Sequence, residues 1–387
     1  MSKSTVLRGI TWNHSRGFVP LVATSQRYAE LNPGVEIIWE KRSLQAFADH
    51  PIQTLTEQYD LLVIDHPWAG FAASSRALLN LGEVLPPTFL ADQAANTVGK
   101  SHQSYVFGGY QCALAIDAAT PVASWRPDLL EKAGETVPQT WQDLLALARK
   151  GLVVFPGIPI DTLMNFYMLC CTQDEPPFVE NEWAVSDTTA AGALEQLREL
   201  ASLCTPDIFN WNPIRVYETL ATTDRAAYCP FAYGYSNYSR QGYAEKLLIF
   251  GDTVTIAGHG HCSTTLGGTG LAISASSKHC AVATDYARFT AAGEIQKTLY
   301  VENGGQPGHR SAWLDPAVNA RTHNYFLNTL PTLDNAYLRP RYGGYMHFQD
   351  HAGDVVRNYL LYGGDTTTVI ADLKRLFEES TLRGIAQ

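Results

Sequence analysis

The chain has 387 residues, 28 of them basic and 38 acidic, giving a formal charge of -10, with 45% hydrophobic and 11% aromatic residues. That length exceeds the roughly 100–200 residues that one core organises and predicts two lobes, while an acidic balance without a basic cluster argues against nucleic acid as a partner. No run reaches the ~18 uninterrupted apolar residues that a membrane span needs, so direct membrane insertion by such a helix is not expected.

The first hundred residues alternate strand and helix. Residues 6–12 read as a strand, 19–31 as a helix, 35–39 as a strand, 44–58 as a helix, and 60–65 as an apolar strand buried on both faces. This rhythm predicts a parallel α/β lobe, in which ligands gather at the carboxyl ends of the strands. Those ends are Trp12-Asn13-His14-Ser15-Arg16-Gly17 and Asp65-His66-Pro67-Trp68. The paired glycines 108 and 109 can absorb backbone rotation and predict a hinge strand there. Further helices are expected over 281–292, 294–300, 353–362 and 366–381.

Between these segments lies Trp125-Arg126-Pro127-Asp128-Leu129-Leu130-Glu131-Lys132-Ala133-Gly134, followed by Pro138-Gln139-Thr140-Trp141. It reads as a helix stopped by Gly134, a loop, and a second helix with Thr140 as N-cap. Together with Leu266-Gly267-Gly268-Thr269-Gly270-Leu271-Ala272-Ile273-Ser274 and Gly304-Gly305-Gln306-Pro307, this stretch resembles the extracellular solute-binding proteins of bacterial ABC importers, in the branch that mostly carries sugars. The resemblance implies an α/β, two-lobed periplasmic-binding-protein-like fold. Each lobe would be a mostly parallel sheet flanked by helices, with several chain crossings at the hinge. Lobe 1 would span 1–108 plus 266–310, and lobe 2, more helical, 109–265 plus 311–387.

The candidate site residues follow from strand ends and from the family. A helix start after Asn13-His14-Ser15 offers unpaired N–H groups to an anion, and Arg16 would add a bidentate fork; the plainer reading is a helix cap with Arg16 in solvent. Asp65 would accept a hydrogen bond in the cleft and Trp68 would stack on ligand. A direct bond between Asp65 and His66 is not expected, because neighbours in an extended strand point to opposite faces. In Pro230-Phe231-Ala232-Tyr233-Gly234-Tyr235-Ser236-Asn237-Tyr238, a strand would put Tyr233 and Tyr235 on one face as two flat rings. The resemblance adds Trp12, Phe107, Tyr110, Gly268, Thr269, Arg310 and Tyr342 to the ligand-binding set. It also exposes a departure, since many sugar-binding relatives carry a large aromatic where this chain has Thr269. With His14, Arg16, His66, His309 and Arg310 near the cleft, a carboxylated ligand becomes a serious option.

His259-Gly260-His261-Cys262 has the look of a metal site, but no further motif completes a set of three or four ligands. The glycines around Thr269 lack the spacing of a nucleotide fingerprint, and no cofactor motif is present. The expected function is therefore a solute-binding protein that closes two lobes around a small polar or carboxylated molecule, a sugar derivative among them. If the protein is exported, ABC-importer membrane subunits would be its partners. The alternative is a cytoplasmic enzyme on the same fold, a lyase, isomerase or hydrolase with His14 or His66 as general base, Asp65 as supporting acid and Arg16 as clamp. Seven cysteines, an odd number without disulfide-like spacing, and the absence of an export signal ahead of the first strand point to the cytoplasm; a trimmed start would point to the periplasm.

Overall fold

A computed structural model of the chain describes residues 4–43 and 52–385. Two compact units emerge: the described residues up to Ala119 together with Gly267–Ala320, and Thr120–Leu266 together with the chain from Arg321 onward. Residues 109–119, expected in the second lobe, belong to unit 1 because their strand Leu114–Ala119 pairs with Gly267–Ile273 in its sheet. Residues 311–320 also stay in unit 1, where the Trp313 indole N–H donates to the Pro307 carbonyl at 2.7 Å.

The sheet of unit 1 has five strands in the order Val35–Arg42, Thr5–Trp12, Leu61–Ile64, Gly267–Ile273, Leu114–Ala119. The first three run parallel, as the strand–helix rhythm requires, and the last two join by antiparallel ladders. Leu61–Ile64 is buried throughout. Leu61 and Val63 point into one apolar cluster with Leu21, Tyr28 and Tyr286, and Leu62 and Ile64 into another with Ile52, Phe71 and Tyr110. This two-sided burial explains why the segment lacks polar alternation, and each such side chain contributes about 1.5–3 kcal/mol.

The helix after the first strand runs Ser15–Leu31, earlier than residue 19, because His14 caps it; Pro20 lies inside it. The helix expected over 44–58 is seen as Ile52–Thr56; residues 44–51 lie outside the described residues. Gly108 and Gly109, with φ of +56° and +77°, form the turn of the hairpin Val106–Phe107 to Tyr110–Gln111 within unit 1. They serve a tight hairpin rather than the crossing expected of them, because paired positive φ angles suit a two-residue turn.

Unit 2 is helix-rich. The opening motif folds as read: Pro127–Ala133 ends on Gly134 at φ +68°, and Trp141–Ala148 starts at Thr140 with a reciprocal capping box to Asp143. Pro159–Thr172 is buried almost all round and packs on Tyr345–Tyr362, where a side chain at Gly353 would meet the Pro159 backbone at 2.7 Å. A three-stranded ladder of Tyr228–Tyr233, Pro121–Trp125 and Ile249–Gly251 is antiparallel, so the parallel expectation does not extend to this unit. Several helices separate Pro121–Trp125 from Tyr228–Tyr233 in the chain, so no single βαβ crossover sets the direction of these strands.

The close approach of Gly9 to Trp39 supplies a test of the first layer. A Cβ on Gly9 would sit 2.6 Å from the Trp39 ring, whose indole N–H is held by Ser25 at 2.8 Å. Gly9→Ala should cost about 1–3 kcal/mol, read as a lower urea midpoint at unchanged m-value.

Candidate functional site

The carboxyl edge of the parallel strands gathers most of the predicted residues of unit 1. Ile10 is level with Leu62, Ile64 with Gly270 and Thr269 with Asp117, so Trp12, Asp65, Thr269 and Asp117 end on one edge of the sheet. His14 caps the helix that leaves this edge: its Nδ1 accepts the Arg16 backbone N–H at 3.0 Å. Accepting through Nδ1 leaves the proton on Nε2. Burial, helped by the Arg16 charge, lowers the His14 pKa to about 3, so the ring is neutral at physiological pH. A base that weak is poorly matched to proton abstraction near neutrality, which removes the main support for the catalytic role considered for His14.

Arg16 neither faces solvent nor waits for an anion. Its Nε and Nη2 bind the two oxygens of Asp117 at 2.9 and 2.5 Å, and the side chains are 4% and 0% exposed. Burial pushes the Asp117 carboxyl upward and the guanidinium pulls it back. Asp117 was missing from the sequence-derived set, although a lone carboxylate inside Leu-Ala-Ile-Asp-Ala-Ala was the available signal, because a buried acid requires a partner. Trp12 is 3% exposed, and its ring lies where a side chain at Gly17 would be, 2.3 Å away. It is a packing residue of the same layer.

The strand Leu61–Ile64 ends before Asp65, and His66–Trp68 forms a single tight 3-10 turn. Asp65 caps that turn, accepting the His66 N–H at 2.8 Å, and the same oxygen lies 3.2 Å from His66 Nδ1. The alternation rule that separated these side chains does not apply once the backbone leaves the extended conformation. His66 is 0% exposed with its ring edge-on to Tyr105, while Asp65 keeps 24% of its side chain accessible. Trp68 is partly buried and packs edge-on to Phe71 at 5.7 Å. Gly268, at φ +99°, lies against the Asp117 carbonyl, where a Cβ would come within 2.3 Å. Thr269 is 5% exposed and its hydroxyl has no hydrogen-bond partner in the protein.

Other predicted residues of this unit are engaged elsewhere. Tyr110 donates to the Leu78 carbonyl under the Arg76 guanidinium, and Phe107 packs on the neighbouring apolar cluster. Arg310 opens the short helix Arg310–Trp313 and donates through Nε to the Thr97 carbonyl at 3.2 Å. Asn13 is exposed, its N–H bonded to the Arg42 carbonyl at 2.7 Å.

In unit 2 the aromatic run splits. Tyr233 ends its strand and shares a 2.9 Å hydrogen bond with the Thr265 hydroxyl, whereas Tyr235 lies beyond the strand at 5% exposure, packed on Tyr217. The two rings therefore do not share one strand face, because the strand gives way to the turn Ser236–Ser239. Tyr342 is tied to Ser380 at 2.6 Å, and burial pushes its hydroxyl up to about 12. Asp161, in the first turn of Pro159–Thr172, is 4% exposed, and its Oδ2 has no partner. Burial raises it to about 8. In the sequence it reads as an ordinary first-turn acid, since burial depends on the helices around it.

Solved structures share this architecture across the whole chain. The maltose-bound MalE3 protein of T. maritima matches with a TM-score of 0.82 at 16% identity, covering 98% of this chain and 99% of that one. A solute-binding protein from Agrobacterium radiobacter K84 in complex with ribitol matches at 0.79 and 18% identity, covering 98% of each chain. One from Thermotoga lettingae bound to α-D-tagatose matches at 0.82 and 16% identity, covering 97% and 100%. At these identities the likeness is one of fold, the two-lobed periplasmic-binding-protein fold. No curated protein matches by sequence. The profile of the bacterial extracellular solute-binding proteins covers residues 23–325, and the chain belongs to that family. It is a solute-binding protein.

Two outcomes follow from the buried groups. Arg16→Ala leaves Asp117 uncompensated and should cost about 3–5 kcal/mol in chemical denaturation, while Arg16→Met with Asp117→Leu should recover most of the loss. For Asp161, a folded pKa of about 8 lies above the unfolded value of roughly 4, so its contribution is fully present below about pH 4 and is lost as pH rises toward 8. Relative to Asp161→Asn, the wild-type urea midpoint should fall over that window, by up to ~1.4 kcal/mol per pH unit, and level off above it.

Proposed function

We propose that the captured solute is a neutral, hydroxyl-rich molecule, a sugar or polyol, which the protein delivers to the membrane subunits of an ABC importer. The observation that carries this reading is the Arg16–Asp117 pair, because Arg16, the clamp expected for a carboxylated ligand, already holds a carboxylate of the protein. With His14 neutral as well, the edge offers Asp65 as an acceptor and Thr269 as a hydroxyl, groups suited to hydroxyl hydrogen bonds. Trp68, on the same edge, would supply flat apolar surface for the carbon face of such a ligand. The structural neighbours described with maltose, ribitol and α-D-tagatose support the same ligand class.

An exported location fits a family described as extracellular. None of the seven cysteines is in a disulfide, and burial holds Cys204 and Cys262 up at about 12, so little thiolate is available for oxidation there.

A thermal-shift panel of monosaccharides, disaccharides, polyols and the matching uronic acids tests the ligand class. Neutral members should raise the melting temperature and the acids should not, with Asp65→Asn weakening the hit by roughly tenfold or more in titration calorimetry. Stabilisation confined to carboxylated members would overturn the proposal.

A further inference from the structure

Two backbone carbonyls at the carboxyl edge of unit 1 converge on one phenol. The Tyr105 hydroxyl lies 3.3 Å from the Ile64 carbonyl and 3.5 Å from the Gly268 carbonyl, and the residue is 2% exposed. An O–H group has a single proton, so donation to two acceptors is shared and both distances exceed that of an undivided bond. The two strands part at this point. The antiparallel ladder of Gly267–Ile273 with Leu61–Ile64 ends at the pair Gly270 and Ile64, so Thr269 and Asp65 are the first residues beyond it. No rung of that ladder sets the spacing of these two ends, and Tyr105 stands in the fork between them.

The Ile64 carbonyl and the Asp65 nitrogen share one peptide plane, as do the Gly268 carbonyl and the Thr269 nitrogen. Holding both carbonyls therefore fixes the direction in which the chain enters Asp65 and Thr269. The phenol is itself held firmly. Its ring is edge-on to His66, with centroids 6.4 Å apart, and it lies against Gly270, where a Cβ would come within 2.7 Å of Cε1. The Tyr105 backbone carbonyl accepts the Cys112 N–H at 3.0 Å and the Cys112 thiol at 3.3 Å, across the hairpin that Gly108 and Gly109 turn. Gly270 of the glycine-rich strand thus admits this ring. A phenylalanine would fill the same space, so packing alone does not account for the hydroxyl.

We infer that Tyr105 is a positioning residue for solute capture, its hydroxyl tying together the two strand ends that carry Asp65 and Thr269. This role rests on the reading of that edge as part of the solute site, and adds to it a buried group that sets the spacing of two contacts without touching the solute. Loss of the hydroxyl widens the separations that Asp65 and Thr269 sample, and affinity falls with the fraction of molecules left in the binding arrangement.

Tyr105→Phe keeps the ring and removes the hydroxyl. In the full chain without solute, hydrogen–deuterium exchange of peptides spanning residues 64–68 and 266–270 should accelerate roughly tenfold, while exchange in Ser15–Leu31 stays as in the wild type. Tyr286→Phe is the control, since it removes another buried hydroxyl, one bonded to Thr24 and Ser25, and it should leave both strand ends unchanged. Binding is followed by titration calorimetry with maltose, ribitol and D-tagatose as probes. Tyr105→Phe should weaken every probe that binds by roughly fivefold or more and Tyr286→Phe should not, and in an Asp65→Asn background the effect of Tyr105→Phe should shrink, because the contact it positions is already altered. Unaltered exchange at the two strand ends, unaltered affinity in Tyr105→Phe, or an equal effect with and without Asp65→Asn would each overturn the role. Failure of all three probes to bind the wild type would count against the solute class instead, and the exchange measurement would then decide whether Tyr105 holds the strand ends.

Discussion

The buried pair of Arg16 and Asp117 is the constraint around which the strand edge of unit 1 is arranged. Removing both charges from water costs several kcal/mol per ion, and only a two-point geometry with both partners satisfied offsets that. The geometry is met because Arg16 occupies the first turn of Ser15–Leu31 and Asp117 the second half of the strand Leu114–Ala119. Three neighbouring features follow. His14 must cap the helix so that Arg16 is presented in register. Position 268, next to the residue opposite Asp117, must be glycine, since a Cβ there would come within 2.3 Å of the Asp117 carbonyl. Thr269 is then left beside the pair with a hydroxyl that the protein does not use.

This pair also decides the electrical character of the edge. A basic loop with His14 and Arg16 suggests a positive site, yet the histidine is neutral and the arginine is compensated, while Asp65 keeps a partly accessible carboxylate. Most other ion pairs of the chain join exposed side chains, as Arg27 with Glu30 or Arg375 with Glu379, and pairs of that kind contribute little to stability. The costly electrostatics are concentrated where a solute-binding protein of this family needs a fixed strand edge.

Much of the local structure was legible in the chain itself. The two helices around residue 134 carry their own stop and start signals, a glycine able to adopt positive φ and a threonine three residues ahead of an aspartate, and both signals act over one turn. The apolar strand Leu61–Ile64 was equally plain, because burial on both faces erases alternation. Of the motif series that suggested the family, the helix pair around residue 134 was legible for the same reason, while Gly267–Ile273 is a strand of the sheet. The glycine pair at 108 and 109 misled because the same positive φ angles serve a hairpin turn as well as a hinge, and only the pairing of Val106–Phe107 with Tyr110–Gln111 distinguishes them.

What the sequence by itself determined, then, was the class of fold and the order of its elements, since helix caps, strand burial and tight turns depend on neighbours in the chain. The tertiary structure decided the chemistry of the candidate site. Arg16 and Asp117 are 101 positions apart, and neither residue announces the other. Asp161 reads as a surface acid until the helices around it exclude water. Tyr233 and Tyr235 share a face only if the strand continues, and the turn at Ser236–Ser239 ends it. The physical reason is common to all three: charge and exposure are set by the solvent a group loses on folding, and that loss is decided by residues distant in sequence.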